Sequence, residues 1–86
     1  MQRGWVVSPD YRSAIDAIKA VRIEKGLSQR ELARRLGKPP SFVNKIEQLE
    51  RRLDIVEFIA IANAMECEAN ELLSRVRAEL PAQFSL

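Results

Sequence analysis

Histidine is absent from this 86-residue chain, and cysteine occurs once. Without an imidazole there is no His-based acid–base pair, no Ser-His-Asp triad and no imidazole metal site. The single thiol, Cys67, has no second cysteine for an internal disulfide, which fits a reducing cytoplasm, and no neighbouring ligands for zinc. A small buried thiol is its expected role. Glycine is scarce, at three residues, and none of them builds a phosphate-binding loop. No apolar run approaches the ~18–20 residues of a membrane span, and no basic, then apolar, then small leader is visible. Catalysis, a metal, a cofactor and membrane insertion are all unexpected.

What is present suffices for one domain with one core, since 47% of the residues are apolar. The formal charge of +2 conceals an asymmetry. Residues 19–52 carry ten Lys/Arg against four Glu, whereas residues 53–86 carry two Arg against six acids. A basic half of this kind is the footprint expected for a polyanion such as DNA, although a solvated surface looks the same on charge alone. Repeats and low-complexity segments are not seen.

Five helices are expected, in an all-α fold. The first seven residues, MQRGWVV, have no helical period. Trp5-Val6-Val7 reads as a short strand, an apolar plug or a partly ordered terminus. Ser8 as N-cap, Pro9 at the first position and Asp10 against the dipole open the first helix. Ala14, Ile15, Ile18 and Val21 are its buried stripe, and it ends near Lys25-Gly26. Ser28 and Glu31 read as a reciprocal capping box with Leu27 and Leu32 as a staple, so the second helix begins at Gln29. Leu32, Ala33 and Leu36 face inward, and Gly37 supplies the left-handed residue that ends it. Pro39 and Pro40 block continuation, and Pro40 suits the first turn of the next helix, about 40–48. There Phe42 or Val43 and then Ile46 turn inward, leaving Ser41, Asn44, Lys45 and Gln48 outside. Small hydrogen-bonding side chains and a Lys on one face are what a helix needs to read base edges. Asp54 and Glu57 form a second capping box, opening a helix with an expected core stripe of Ile55, Phe58, Ile59, Ala62 and Met65. The last helix runs from Ala69 to about Glu79 around Leu72, Leu73 and Val76, and Pro81 stops it. The expected division is an arm (1–8), a domain (9–79) and a tail (80–86), and a ligand-sensing domain is not expected.

The string GLSQRELARRLGKPPSFVNKIEQLERRLDIVEF resembles the helix-turn-helix of the phage repressor and Cro class, the Xre-like regulators. Gln29, Ala33, Gly37, Val43 and Ile46 carry the resemblance. It implies a small bacterial or phage transcriptional regulator, a repressor by the simplest mechanism, with double-stranded DNA as partner and no cofactor. By the resemblance Ser41, Asn44 and Lys45 face base edges, while Pro40 reads by apolar contact or not at all. Gln29 would meet a phosphate, with Ser28, Arg30, Lys38, Gln48, Arg51 and Arg52 as further phosphate contacts. Arg22 and Glu47 stand where the family has a partly buried ion pair. Leu49 stands where the family usually has Gly: either the helix runs on, or a non-Gly residue takes a strained turn. A two-fold operator needs a homodimer with half-sites ~34 Å apart, and Leu72, Leu73, Val76, Leu80 and Phe84, or the Trp5 arm, could supply its contact. RNA polymerase, met through acids such as Glu57, Glu66 or Glu68, and a toxin bound by an antitoxin are the other partners weighed. Control of a restriction–modification system is a further reading of the same fold.

Overall fold

The computed structural model describes residues 8–84 and 86; the expectations for Trp5 fall outside these. Five helices follow in order: α1 (Pro9–Glu24), α2 (Gln29–Arg35), α3 (Ser41–Glu47), α4 (Ile55–Ala64) and α5 (Ala69–Ala78). No strand occurs among the described residues.

Side-chain caps set where the longer helices begin. The Ser8 hydroxyl accepts the Tyr11 N–H at 3.0 Å with Pro9 next in line, and Asp54 accepts the Glu57 N–H at 2.7 Å. Glu57 returns the bond from the Asp54 N–H at 3.0 Å, so this capping box is complete. At α2 only half of the expected box forms. Ser28 accepts the Glu31 N–H, but the Glu31 carboxylate turns away from Ser28 to Arg34 (2.6 and 2.9 Å) and Arg35 (3.1 Å). Two guanidinium groups at i+3 and i+4 outcompete one backbone N–H for a charged acceptor.

Four helices end in one way. After α1, α2, α3 and α4 a residue with positive φ reverses the chain: Gly26 (73°), Gly37 (68°), Leu49 (63°) and Glu66 (57°). In each case the next N–H reaches back to a carbonyl five residues earlier: Leu27 to Arg22, Lys38 to Ala33, Glu50 to Lys45 and Cys67 to Ala62, all at 2.9–3.1 Å. These are Schellman closures, which satisfy carbonyls the helix would leave open. At Leu49 the chain thus takes the strained turn rather than extending α3.

The core gathers Ile15, Ile18 and Val21 from α1, Leu32 and Ala33 from α2, Val43 and Ile46 from α3, Ile61, Ala62 and Met65 around α4, and Leu72 and Val76 from α5. Leu49 joins them, only 1% exposed. Burying each large aliphatic side chain contributes about 1.5–3 kcal/mol. Ala33 is wholly enclosed, which lets α2 and α3 approach closely. The stripe expected for α4 is only partly right. Ile55 (77% exposed) and Ile59 (46%) lie outside, Phe58 is half-buried, and Ile61 takes the inner place. The helix is apolar nearly all round, so its spacing alone could not choose the face. Cys67, expected to be buried, is half-buried.

Candidate nucleic-acid interface

Phe42, Val43 and Ile46 all point inward, using three of the seven residues of α3 for the core. Ser41, Lys45 and Gln48 remain exposed and Asn44 half-exposed, so the polar residues form one outer face. Pro40 precedes α3 already in helical conformation (φ −54°, ψ −27°), with no side-chain cap. The Phe42 N–H instead finds the Pro39 carbonyl at 3.0 Å. Pro40 is exposed beside Ser41 and offers only ring carbons to a neighbour.

A buried ion pair holds the inner end of α3 against α1. Arg22, 7% exposed, donates from Nε to Glu47 Oε2 (2.7 Å) and from Nη2 to Glu47 Oε1 (3.0 Å). Its third branch, Nη1, donates to the Leu27 carbonyl at 2.7 Å. Two parallel N–H···O bonds fix orientation as well as distance. Gln29 joins them, its Nε2 donating to Glu47 Oε1 at 2.8 Å. A carboxylate can only accept, so the amide nitrogen of Gln29 must face Glu47 and its carbonyl oxygen must turn away. Sequence spacing gave no sign of this third member.

The cations around α3 fall into two groups. Arg30 and Lys45 are exposed, and their side chains have no hydrogen bond or ion pair among the described residues. Lys38 lies 5.4 Å over the Phe42 ring and makes no salt bridge among the described residues, although its charge also acts on Glu57. Arg51 and Arg52 are differently placed. Arg51 forms a fork with Glu57 (2.8 and 2.6 Å) and stacks 4.8 Å over the same Phe42 ring. That fork, by hydrogen bonding above all, raises the Arg51 pKa and lowers that of Glu57. Arg52 stacks 4.6 Å over Tyr11, whose hydroxyl accepts the Leu53 N–H at 3.0 Å. On α2, Arg34 and then Arg35 hold Glu31 down to about 2 by side-chain hydrogen bonds. Ser28 is engaged in capping through its hydroxyl.

An apolar groove of about 500 Å³ lies between α1, α4 and α5. Ile15, Ile55, Phe58, Ile59 and Leu73 are among its lining residues. Of the residues expected to face a second copy, Leu72 (0% exposed) and Val76 (8%) are instead in the core, because α5 turns its stripe onto α1. Leu73 (56%) and Phe84 (47%) are outside, and Leu80 is half-buried. Val56, 72% exposed, extends the apolar surface of α4. No helix among the described residues is long and apolar enough to cross a membrane.

Comparison with known proteins gives this arrangement a family. No curated protein matches. Among solved structures, an XRE-family like protein from Pseudomonas syringae pv. tomato is 40% identical, covering 84% of this chain and 88% of its own, with a TM-score of 0.75. The restriction–modification controller protein C.Esp1396I is 25% identical over 85% of this chain and 96% of its own, with a TM-score of 0.78. The clp gene regulator ClgR from C. glutamicum, 20% identical over 84% and 95%, shares the fold at a TM-score of 0.72. A helix-turn-helix family model matches residues 18–72, more than half of the chain, and with these relatives shows that the protein belongs to the Xre-like helix-turn-helix family of DNA-binding transcriptional regulators.

Proposed function

We propose that the protein binds a specific double-stranded DNA site with α3 in the major groove and represses transcription by occupying it. The observation that carries this reading is the outer face of α3, where Ser41, Asn44 and Lys45 stand together, with Arg30 of α2 a further exposed cation whose side chain has no partner among the described residues. Asn44 can pair an adenine through two hydrogen bonds and Lys45 can reach guanine O6 or N7, each worth about 1–3 kcal/mol of discrimination. Arg30 and Lys38 add phosphate contacts, which strengthen binding without reading sequence. Gln29 and Gln48 flank the same face.

A single domain covers one half-site, so a second copy is the proposed occupant of the α1/α4/α5 groove. Ile55, Val56, Ile59 and Leu73 are exposed apolar side chains that such a contact would cover. Their loss to Glu should leave a monomer, read by sedimentation, and weaken operator binding.

The direct test is selection of sites from a random duplex library, with the winner titrated at several salt concentrations. The expected result is a palindromic site, steep salt dependence, and loss of preference in an Asn44→Ala/Lys45→Ala variant. No enrichment, or a variant indistinguishable from wild type, would overturn readout by α3. The likeness to a restriction–modification controller at 25% identity supports a second reading, control of such a system. It predicts that the selected site lies upstream of a restriction or methyltransferase gene.

A further inference from the structure

The cations flanking α3 differ in what they already hold, and Arg51 is firmly engaged. Its guanidinium spans three parts of the structure. It donates to both Glu57 oxygens, at 2.8 and 2.6 Å, and to the Arg52 carbonyl at 2.9 Å. Its face lies over Phe42, the second residue of α3, which is only 9% exposed. Glu57 in turn accepts the Asp54 N–H, closing the capping box of α4. One carboxylate therefore joins the start of α4 to a guanidinium that presses on the start of α3.

A phosphate-binding arginine needs its fork free, because phosphate and carboxylate compete for the same paired N–H groups. The Arg51 fork is already taken by a carboxylate that is itself held by α4. Phe42 is buried in the first turn of α3, on the side opposite the exposed Ser41 and half-exposed Asn44. We propose that Arg51 and Glu57 are positioning residues for DNA recognition: the pair clamps Phe42 and so fixes the base-reading face of α3, and Arg51 is not a phosphate ligand. The inference rests on the DNA-binding reading given above.

The two roles give opposite signs when Glu57 is changed. Long-range electrostatics alone predicts that removing a carboxylate from a DNA-binding protein tightens binding. The clamp predicts that Glu57→Gln weakens binding to the selected site, while binding to unrelated duplex stays level or rises. The amide keeps an acceptor oxygen for the Asp54 N–H, and Asp54 still caps α4, so the fold is retained and is checked by circular dichroism. Arg51→Lys keeps the charge but loses the fork. A clamp that depends on the fork would not tolerate it.

The experiment titrates wild type, Glu57→Gln and Arg51→Lys against the selected site and a scrambled duplex, each over a series of salt concentrations. The expected result is a loss of specific affinity in both variants of roughly five- to fifty-fold, about that of one mismatched base pair, with an unchanged salt slope. Tighter specific binding by Glu57→Gln, or full retention by Arg51→Lys, overturns the clamp. So does an Arg51→Gln variant whose salt slope falls by about one and whose affinity for both duplexes drops alike, the mark of a lost phosphate contact. If wild type itself does not distinguish the two duplexes, the DNA-binding reading fails instead.

Discussion

α2 and α3 end in the same hydrogen-bonded turn, yet one uses Gly37 and the other Leu49. The same contrast repeats at α1 and α4, with Gly26 and Glu66. Added Cβ atoms at Gly26 and Gly37 would meet nothing within 4 Å, so glycine is there for its backbone freedom and not for space. Leu49 accepts a left-handed conformation that costs an L-residue about 1–2 kcal/mol. Its side chain is 1% exposed among the core residues, and that burial outweighs the strain. Glu66 has no such compensation, being exposed with a 3.7 Å bridge to Arg35 as its ion pair. Burial thus accounts for a non-glycine residue at Leu49, whereas at Glu66 the same turn is made with nothing buried to offset the strain.

The sharpest way to break this comparison is at Leu49. Leu49→Ala should cost about 2–5 kcal/mol, because it keeps the strain and deletes core contacts. Leu49→Gly should be the milder of the two by about 1 kcal/mol, since it relieves the strain while leaving the cavity. Urea denaturation measures both, and equal losses would mean that strain at Leu49 is negligible. Next in size, Gly37→Ala and Gly26→Ala should each cost about 1 kcal/mol and match one another, since neither Cβ meets a neighbour. Glu66→Gly is the opposite case. Relief of strain, less the greater freedom of glycine in the unfolded chain, should leave a gain of about 0.5 kcal/mol, visible as a raised Tm.

The N-terminal ends offer the smallest effect. Glu31 titrates at about 2 in the folded chain because of Arg34 first and Arg35 second. Its folded pKa is depressed, so the favourable interaction is present above the ordinary value of 4.5 and is lost as pH falls towards about 2. An NMR titration of the carboxyl should show Arg34→Gln moving it upward more than Arg35→Gln does. A reversed order would mean that the i+4 partner dominates.

These ends also show what the chain discloses before folding. Ser8, Asp54, Gly26 and Gly37 are local signals, and each stands at a helix end where its chemistry is needed. The inward set Val43 and Ile46 and the outward set Ser41, Asn44 and Lys45 were equally legible, because a single helix period separates them. Leu49 left two conformations open, since only the assembled core decides whether its side chain can be buried. The face of α4 was not legible, because apolar residues surround the helix and neighbours select among them. Nor were the partners of Gln29 and Arg51, which lie 18 and 6 residues away across turns. Charge count marks such residues as basic or polar without saying whether they are spoken for.

Leu49 has one more consequence, for the order of events in folding. Gly26 and Gly37 can visit their reversed conformation in an otherwise unfolded chain, so α1 and α2 can close locally. Leu49 takes that conformation only when the interior is there to receive it. The last turn of α3 should then be completed late, and Leu49→Ala should accelerate unfolding far more than it slows refolding. The length of α3 is in this sense decided by the whole molecule and not by its own seven residues.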